Sequence, residues 1–172
     1  MSITNNQSNI LNQNIGIAGC GEMGYPMLKM LLQNNINATG HDIKASENFK
    51  DFGEKYIPSK SDFFLRNSVV LSIVRDTKET EDLLIKNNAL LSKKDVTILI
   101  CSTLPITYIK KLKENLPEHF RLIDTPMSGS TIKAQEGTLT FMVGGKNDEV
   151  QYVMPLLNIL GDNSLHIGKF GK

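Results

Sequence analysis

Three glycines at fixed spacing constrain this chain more than any other feature. The run Ile15-Gly16-Ile17-Ala18-Gly19-Cys20-Gly21-Glu22-Met23-Gly24 places Gly19, Gly21 and Gly24 in the pattern GxGxxG. An apolar stretch leads into it, and Met23, Met27, Met30 and Leu31 follow at helical spacing. A strand therefore runs into a helix through the glycines, the context without which so short a pattern means little. Gly19 permits a tight turn, Gly21 lets the backbone approach a pyrophosphate, and Gly24 lets the helix pack close to the strand. The unpaired amides and positive dipole end of the helix then attract phosphate charge. Glu22 and Met23, inside the same loop, are expected cofactor-binding positions with the glycines. The plain alternative is a glycine-rich turn without a ligand, which leaves the agreement of all three positions unexplained. Met23, Met27 and Met30 read as core packing.

A second strand, Ala38–His41, ends at Asp42, eighteen positions beyond Gly24. That is close to where a ribose-binding acid belongs, ~20 residues on. Its carboxylate can accept hydrogen bonds from the adenosine ribose and would repel the extra phosphate of NADP. The expected cofactor is NAD in preference to NADP. Lys44 pulls the other way, because an ammonium two residues later could accommodate that phosphate.

The rest of the chain alternates in the same manner. Short apolar runs at Val69–Val74, Val96–Cys101, Arg121–Ile123, Leu139–Val143 and Leu165–Ile167 read as strands, several nearly continuous in apolar residues, as in sheets buried on both faces. Between them, Asp76 and Glu79 resemble a capping box. Thr103 can cap a helix with Pro105 in its first turn and Ile109, Leu112 and Leu116 on one face. A last helix opens at Asn147, with Asp148 and Glu149 near its positive end, and Pro155 is expected to kink or interrupt it. Strands alternating with helices imply a doubly wound, mostly parallel α/β sheet. The evenly alternating Thr138–Val143 suggests an antiparallel addition at one edge.

The 172 residues suffice for one domain with a sizeable core. Residues 1–13, polar and rich in Asn, read as a disordered tail before a domain spanning 14–172. The tail resembles neither a secretory signal nor a mitochondrial transit peptide. No apolar run approaches the roughly 20 residues that span a bilayer. A cytoplasmic protein without a membrane partner is expected. The net charge is +1 and the lysines are scattered, which argues against nucleic acid. Cys20 and Cys101 form no CxxC, and His41, His119 and His166 have no metal-ligand spacing, so neither a disulfide framework nor a metal is expected.

Beyond the glycines, the run from Gly16 through Gly24-Tyr25-Pro26-Met27 resembles the opening signature of the β-hydroxyacid dehydrogenases. This family includes hydroxyisobutyrate dehydrogenase and tartronate semialdehyde reductase, with phosphogluconate dehydrogenase more distant. A second block, Asp124-Thr125-Pro126-Met127-Ser128-Gly129-Ser130, resembles the family's substrate-binding motif, usually Asp-Ala-Pro-Val-Ser-Gly-Gly. Gly137-Thr138-Leu139-Thr140-Phe141-Met142-Val143-Gly144-Gly145, Ser102-Thr103-x-Pro105 and His166-x-Gly168 match in the expected order.

The resemblance implies a Rossmann fold that binds NAD or NADP and transfers a hydride between nicotinamide and a small hydroxyacid or semialdehyde. It implies that Val74 and Arg75 pass under the cofactor, although Arg75 stands where some members have proline. Thr103 matches a residue near the nicotinamide ribose. Ser128 and Gly129 match groups that hold the substrate's carboxylate or hydroxyl, with Ser130 in place of the usual glycine. All three are expected substrate-binding positions. The family's proton acceptor is a lysine in Gly-x-x-Gly-x-Gly-x-x-x-Lys-x-x-Asn-Asn, leading into an all-helical domain. The chain reaches Gly168-Lys169-Phe170-Gly171-Lys172, so that lysine would lie beyond Lys172, and no catalytic base is expected within these residues. A chain without the helical domain is expected to bind cofactor yet turn over negligibly. It should expose apolar residues of its last helix, Leu156, Leu157 and Leu160, and the surface that would meet the helical domain is an expected route to a homo-oligomer. Two rivals are a non-catalytic nucleotide-binding or interaction module and an imine-reductase-like enzyme. The intact Ser128-Gly129 pair argues against both.

Overall fold

The computed structural model describes residues 9–44 and 47–172. In chain order the elements are β1 Ile15–Ala18, α1 Gly24–Gln33, β2 Ala38–His41, α2 Lys60–Arg66, β3 Val69–Ser72, α3 Thr77–Thr80, α4 Asn88–Leu91, β4 Thr97–Ile100, α5 Ile106–Asn115, β5 Arg121–Asp124, β6 Met127–Ser128, α6 Thr131–Glu136, β7 Leu139–Gly144, α7 Asn147–Leu160 and β8 Gly161–Gly168. Short 3-10 segments occupy Ile10–Asn12 and Glu47–Lys55, and a π turn at Glu81–Ile85 continues α3. Among the described residues no helix is long and apolar enough to cross a membrane.

The sheet has eight strands in the order β2-β1-β3-β4-β5-β7-β6, with β8 on the other side of β7. Strands β1 to β5 are mutually parallel, whereas β7 runs antiparallel to β5 and β6. The expected antiparallel addition is therefore present, but β7 is not the margin. β8 pairs parallel to β7 and supplies the outer edge.

Burial on both faces follows from the side-chain alternation of a strand. Ile15, Ile17, Val69, Leu71, Leu99 and Ile123 point to one face, against α1 and α7. Ala18, Val70, Ile98, Ile100 and Leu122 point to the other, against Phe63 and Phe64 of α2, Leu83 and Leu84 of the π turn, and Leu112 of α5. Two apolar layers clamp one sheet, as a doubly wound arrangement requires.

Several expectations are corrected. Residues 1–8 of the expected tail lie outside the described residues, but its last part is ordered. Asn9 caps the 3-10 turn by accepting the Leu11 N–H at 3.0 Å, and Ile10 is buried in the first core layer. Thr103 caps nothing, because Pro105 is itself the N-cap of α5 and no side chain closes that end. Pro155 does not interrupt α7, which runs unbroken from Asn147 to Leu160. A helical proline costs ~3 kcal/mol. Val150, Val153, Leu156, Leu157 and Leu160 are each fully buried beneath the same helix, and each such side chain contributes roughly 1.5–3 kcal/mol, so packing outweighs the proline. That burial also removes Leu156, Leu157 and Leu160 from the surface where exposure was expected. The apolar residues left exposed near the chain's end are Leu165 and Ile167 on β8, about half accessible.

Candidate functional site

β1 lies between β2 and β3, so the chain leaves it in opposite directions on successive crossovers. Its carboxyl end is the switch point of the sheet, where crevices form in folds of this kind. The parallel ladder runs slightly past the strands: Gly19 N–H donates to His41 O at 2.8 Å and Ile73 N–H to Ala18 O at 2.8 Å. Cys101 N–H bonds Ser72 O at 3.0 Å and Thr125 N–H bonds Ile100 O at 2.8 Å. These bonds hold four loops at the same level of the sheet.

The three glycines are required for three different reasons. Gly19 has φ +98°, and a Cβ there would overlap the Ile73 carbonyl. A Cβ on Gly24 would overlap the Gly19 carbonyl oxygen and lie 3.3 Å from Ile17 Cγ2. Gly21 has no atom within 4 Å of where its Cβ would stand. Protein packing thus explains Gly19 and Gly24 and leaves Gly21 facing open space.

Behind Gly21 begins α1, whose N-cap Met23 provides no side-chain hydrogen bond. Tyr25 N–H bonds Gly21 O at 3.0 Å, so the amides of Gly21, Glu22, Met23 and Gly24 lie ahead of the first turn, where helical geometry gives them no carbonyl partner. No acidic side chain occupies the first turn of α1. A helix start with neither cap nor acid, opening on empty space, has the donors and the electrostatics to hold a diphosphate.

A crevice of about 690 Å³ runs past this point, lined by Gly19, Gly21, Glu22, Met23, Gly24, Asp42, Val74 and Arg75 among others. All the expected cofactor-binding positions except Thr103 are therefore together. Thr103 is exposed beside the neighbouring Ser102, which does line the crevice and donates its hydroxyl to Val74 O. Asp42 stands at the edge, one carboxylate oxygen accepting Lys44 N–H at 2.8 Å, and Tyr56 Oη donates to its carbonyl at 3.1 Å. This local turn fixes Asp42 where β2 ends. A smaller cavity of about 360 Å³ adjoins, sharing Gly21, Glu22, Asp42 and Lys44 and walled by Tyr25, Phe49, Thr131 and Gln135.

Arg75 shows what replaces the proline that the resemblance suggested. Its backbone N–H, which a proline would lack, donates to Glu79 Oε2 at 2.9 Å, and its guanidinium Nε donates to Oε1 at 2.9 Å. Glu79 N–H in turn reaches Asp76 Oδ1 at 2.8 Å. The capping box is formed with its return bond shifted one residue back, onto Arg75 instead of Asp76. The Arg75 side chain, then its backbone, hold the Glu79 carboxyl below its ordinary range. Both side chains line the crevice.

The crevice also uses Lys60, Asp82, Leu83, Cys101 and Met127, which no spacing in the sequence points to. Lys60 Nζ donates to the carbonyls of Asp82 at 2.9 Å and Lys86 at 3.2 Å, stitching α2 to the π turn. Cys101, at the opposite end, is buried, and burial pushes its thiol up to about 12.

The expected substrate positions are arranged differently. Ser128, Gly129 and Ser130 are exposed and do not line the crevice, although their neighbour Met127 does. Ser128 pairs with Thr140 across β6 and β7. Gly129 has φ +149°, and a Cβ there would meet Leu139 Cδ2 at 2.7 Å, so packing and backbone explain this glycine. Ser130 is the N-cap of α6, its hydroxyl accepting Lys133 N–H at 3.4 Å.

Residues 14–168 match the family described as the NAD binding domain of 6-phosphogluconate dehydrogenase. The NAD-dependent L-serine dehydrogenase of Pseudomonas aeruginosa is 31% identical over 162 residues, covering 91% of this chain and 54% of that protein. Human mitochondrial 3-hydroxyisobutyrate dehydrogenase is 28% identical over 162 residues, covering 91% and 48%. Among solved structures, Mycobacterium tuberculosis 3-hydroxyisobutyrate dehydrogenase with L-serine shares the fold at TM-score 0.85 and 23% identity, covering 92% of this chain and 55% of that one. The chain spans about half the length of the curated relatives it matches.

Proposed function

From the premise that the chain belongs to the family of NAD binding domains of 6-phosphogluconate dehydrogenase, we propose that it binds a nicotinamide dinucleotide and serves hydride transfer to or from a small β-hydroxyacid or its semialdehyde. The observation that carries this reading is Gly21, a glycine that packing does not require, lining a crevice at the uncapped start of α1.

Each group at the crevice then has a task. The amides of Gly21 to Gly24 neutralise the diphosphate, and the bare Cα of Gly21 lets it come within hydrogen-bond range. Asp42 accepts from the adenosine ribose and disfavours a second phosphate there, so NAD is the preferred cofactor and NADP the weaker one. Val74, Arg75 and Ser102 form the floor over which the dinucleotide passes, with Thr103 beside its nicotinamide end. Bound nicotinamide supplies the hydride chemistry. Ser128 and Gly129, with Ser130 capping the helix behind them, hold the hydroxyacid's polar groups at that end.

A proton acceptor for the hydroxyl is the remaining requirement. Cys101 is one titratable side chain lining the crevice with Ser102 and Met127, and a thiol pushed to about 12 by burial is a poor base at neutral pH. Without a positioned base, rates fall about 10²–10⁴-fold. The 172-residue chain is therefore proposed to bind cofactor while turning over negligibly by itself, and any self-association is proposed to use the surface around Leu165 and Ile167.

Calorimetric titration with NAD and NADP side by side tests the binding reading. Saturable binding with NAD the tighter ligand is expected; tighter NADP overturns the preference, and absence of both overturns the reading. Adding hydroxyisobutyrate with NAD and finding ordinary dehydrogenase rates overturns the proposed inactivity.

A further inference from the structure

An arginine near the adenosine ribose lets a dinucleotide site accept the 2′-phosphate of NADP. The crevice holds one, Arg75, together with Asp42, and the two residues make opposite demands on the same ligand. The neighbour of Arg75 decides between them. The guanidinium Nε donates to Glu79 Oε1 at 2.9 Å, Nη2 donates to the same oxygen, and the Arg75 backbone N–H donates to Oε2 at 2.9 Å. The Glu79 side chain is 22% exposed and that of Arg75 75% exposed, so the guanidinium lies on the solvent side of the carboxylate. Its charge is matched before any ligand arrives.

A run of hydrogen bonds ties this pair to the end of β2, where Asp42 stands. Ile57 N–H donates to Gly40 O at 2.8 Å and pins the segment ahead of α2 to that strand. Lys60, which opens α2, donates to Asp82 O at 2.9 Å, and Asp82 lies one helical turn beyond Glu79. Asp42, Lys60, Arg75, Glu79 and Asp82 all line the same crevice. The charges register this closeness: Glu79 above all, and more weakly Asp76 and Asp42, hold the Arg75 guanidinium above its ordinary value.

We propose that Glu79 is a specificity-determining residue: by occupying Arg75 it keeps the guanidinium from recruiting a 2′-phosphate, and so works with Asp42 to favour NAD over NADP. The inference rests on the proposed dinucleotide site and names what sets its preference. It depends on Arg75 standing where a proline would supply neither the N–H nor the guanidinium. A phosphate carries close to two negative charges at neutral pH. Entering here, it would meet the Asp42 and Glu79 carboxylates with the nearest guanidinium already engaged.

Calorimetric titration of the 172-residue chain with NAD and NADP gives the ratio of the two affinities, compared among the unaltered chain, Glu79→Gln, Arg75→Gln and the double variant. Lys44 and Lys60 are present in all four, so their attraction for phosphate cancels. In Glu79→Gln the ratio should move about tenfold toward NADP, because the guanidinium is released and one repelling charge is gone. In Arg75→Gln it should move about threefold the other way, the Glu79 carboxylate being left unmatched. Most of the gain should be missing from the double variant. Asp76 still caps α3 in every case, and Arg75→Gln reads the same contrast should Glu79→Gln not fold. With NAD still bound, an unmoved ratio in Glu79→Gln makes Glu79 a capping residue only and overturns the proposal. A gain that survives whole in the double variant also overturns it, since Arg75 is then not the group that Glu79 restrains. Failure of the unaltered chain to bind either dinucleotide is a different result, which removes the site itself.

Discussion

The loop after β1 and the loop after β5 both carry glycines beside a helix start, yet they differ in what those glycines serve. In the first loop, two glycines satisfy the protein's own packing and the third faces empty space at an uncapped helix. In the second, Gly129 is demanded by its backbone, with φ +149°, and the helix behind it is already capped by Ser130. A position whose residue type packing explains carries no evidence of a ligand. The first loop opens on a crevice, whereas the second presents exposed polar groups that do not line it.

The sharpest way to break this contrast is to put the same methyl group on two neighbouring glycines. Gly24→Ala drives a Cβ into the Gly19 carbonyl and should cost about 3–5 kcal/mol of stability by denaturant unfolding, a large value for one substitution. Gly21→Ala should leave the unfolding midpoint nearly unchanged while weakening NAD binding by about 10–100-fold, since the ligand and not the protein meets the methyl. Equal destabilisation by both would mean that Gly21 is structural too. Asp42→Ala should weaken NAD by roughly 1–3 kcal/mol and narrow the gap to NADP. An unchanged ratio of the two affinities in calorimetry would remove Asp42 from the ribose.

The second loop should respond more weakly. Ser130→Ala removes an N-cap whose bond is long, so about 0.5–1 kcal/mol of stability should be lost in urea unfolding. Ser128→Ala should change stability by less than about 0.5 kcal/mol and leave NAD affinity untouched. A loss of NAD affinity at Ser128 would merge the two loops into one cofactor site.

Strand centres were legible because a strand covered on both faces must be apolar at nearly every position, as β1, β3 and β4 are. Gly19, Gly21, Gly24 and Asp42 were legible because their roles depend on spacing along one βαβ unit. Other features depend on partners distant in sequence. Pro155 is tolerated because of the core beneath α7, and Ile10 is buried against that same helix, neither of which local sequence displays. Thr103 failed as a cap because Pro105 keeps its extended geometry, with ψ 135°, and delays α5 to Ile106. Helices α2, α4 and α6 are seven residues or fewer, too short to display a period. Lys60 and Asp82 reach the crevice only because α2 and the π turn are stitched together, a contact that no local pattern encodes.

The vacant space beside Gly21 has a practical use. Both native thiols, Cys20 and Cys101, are buried and pushed up to about 12, which leaves them unreactive toward alkylating reagents at neutral pH. Gly21→Cys would add a single accessible sulfur at the lip of the crevice without displacing a neighbour. A fluorophore attached there would report occupancy by its own exclusion, turning the corner that packing left bare into a built-in sensor.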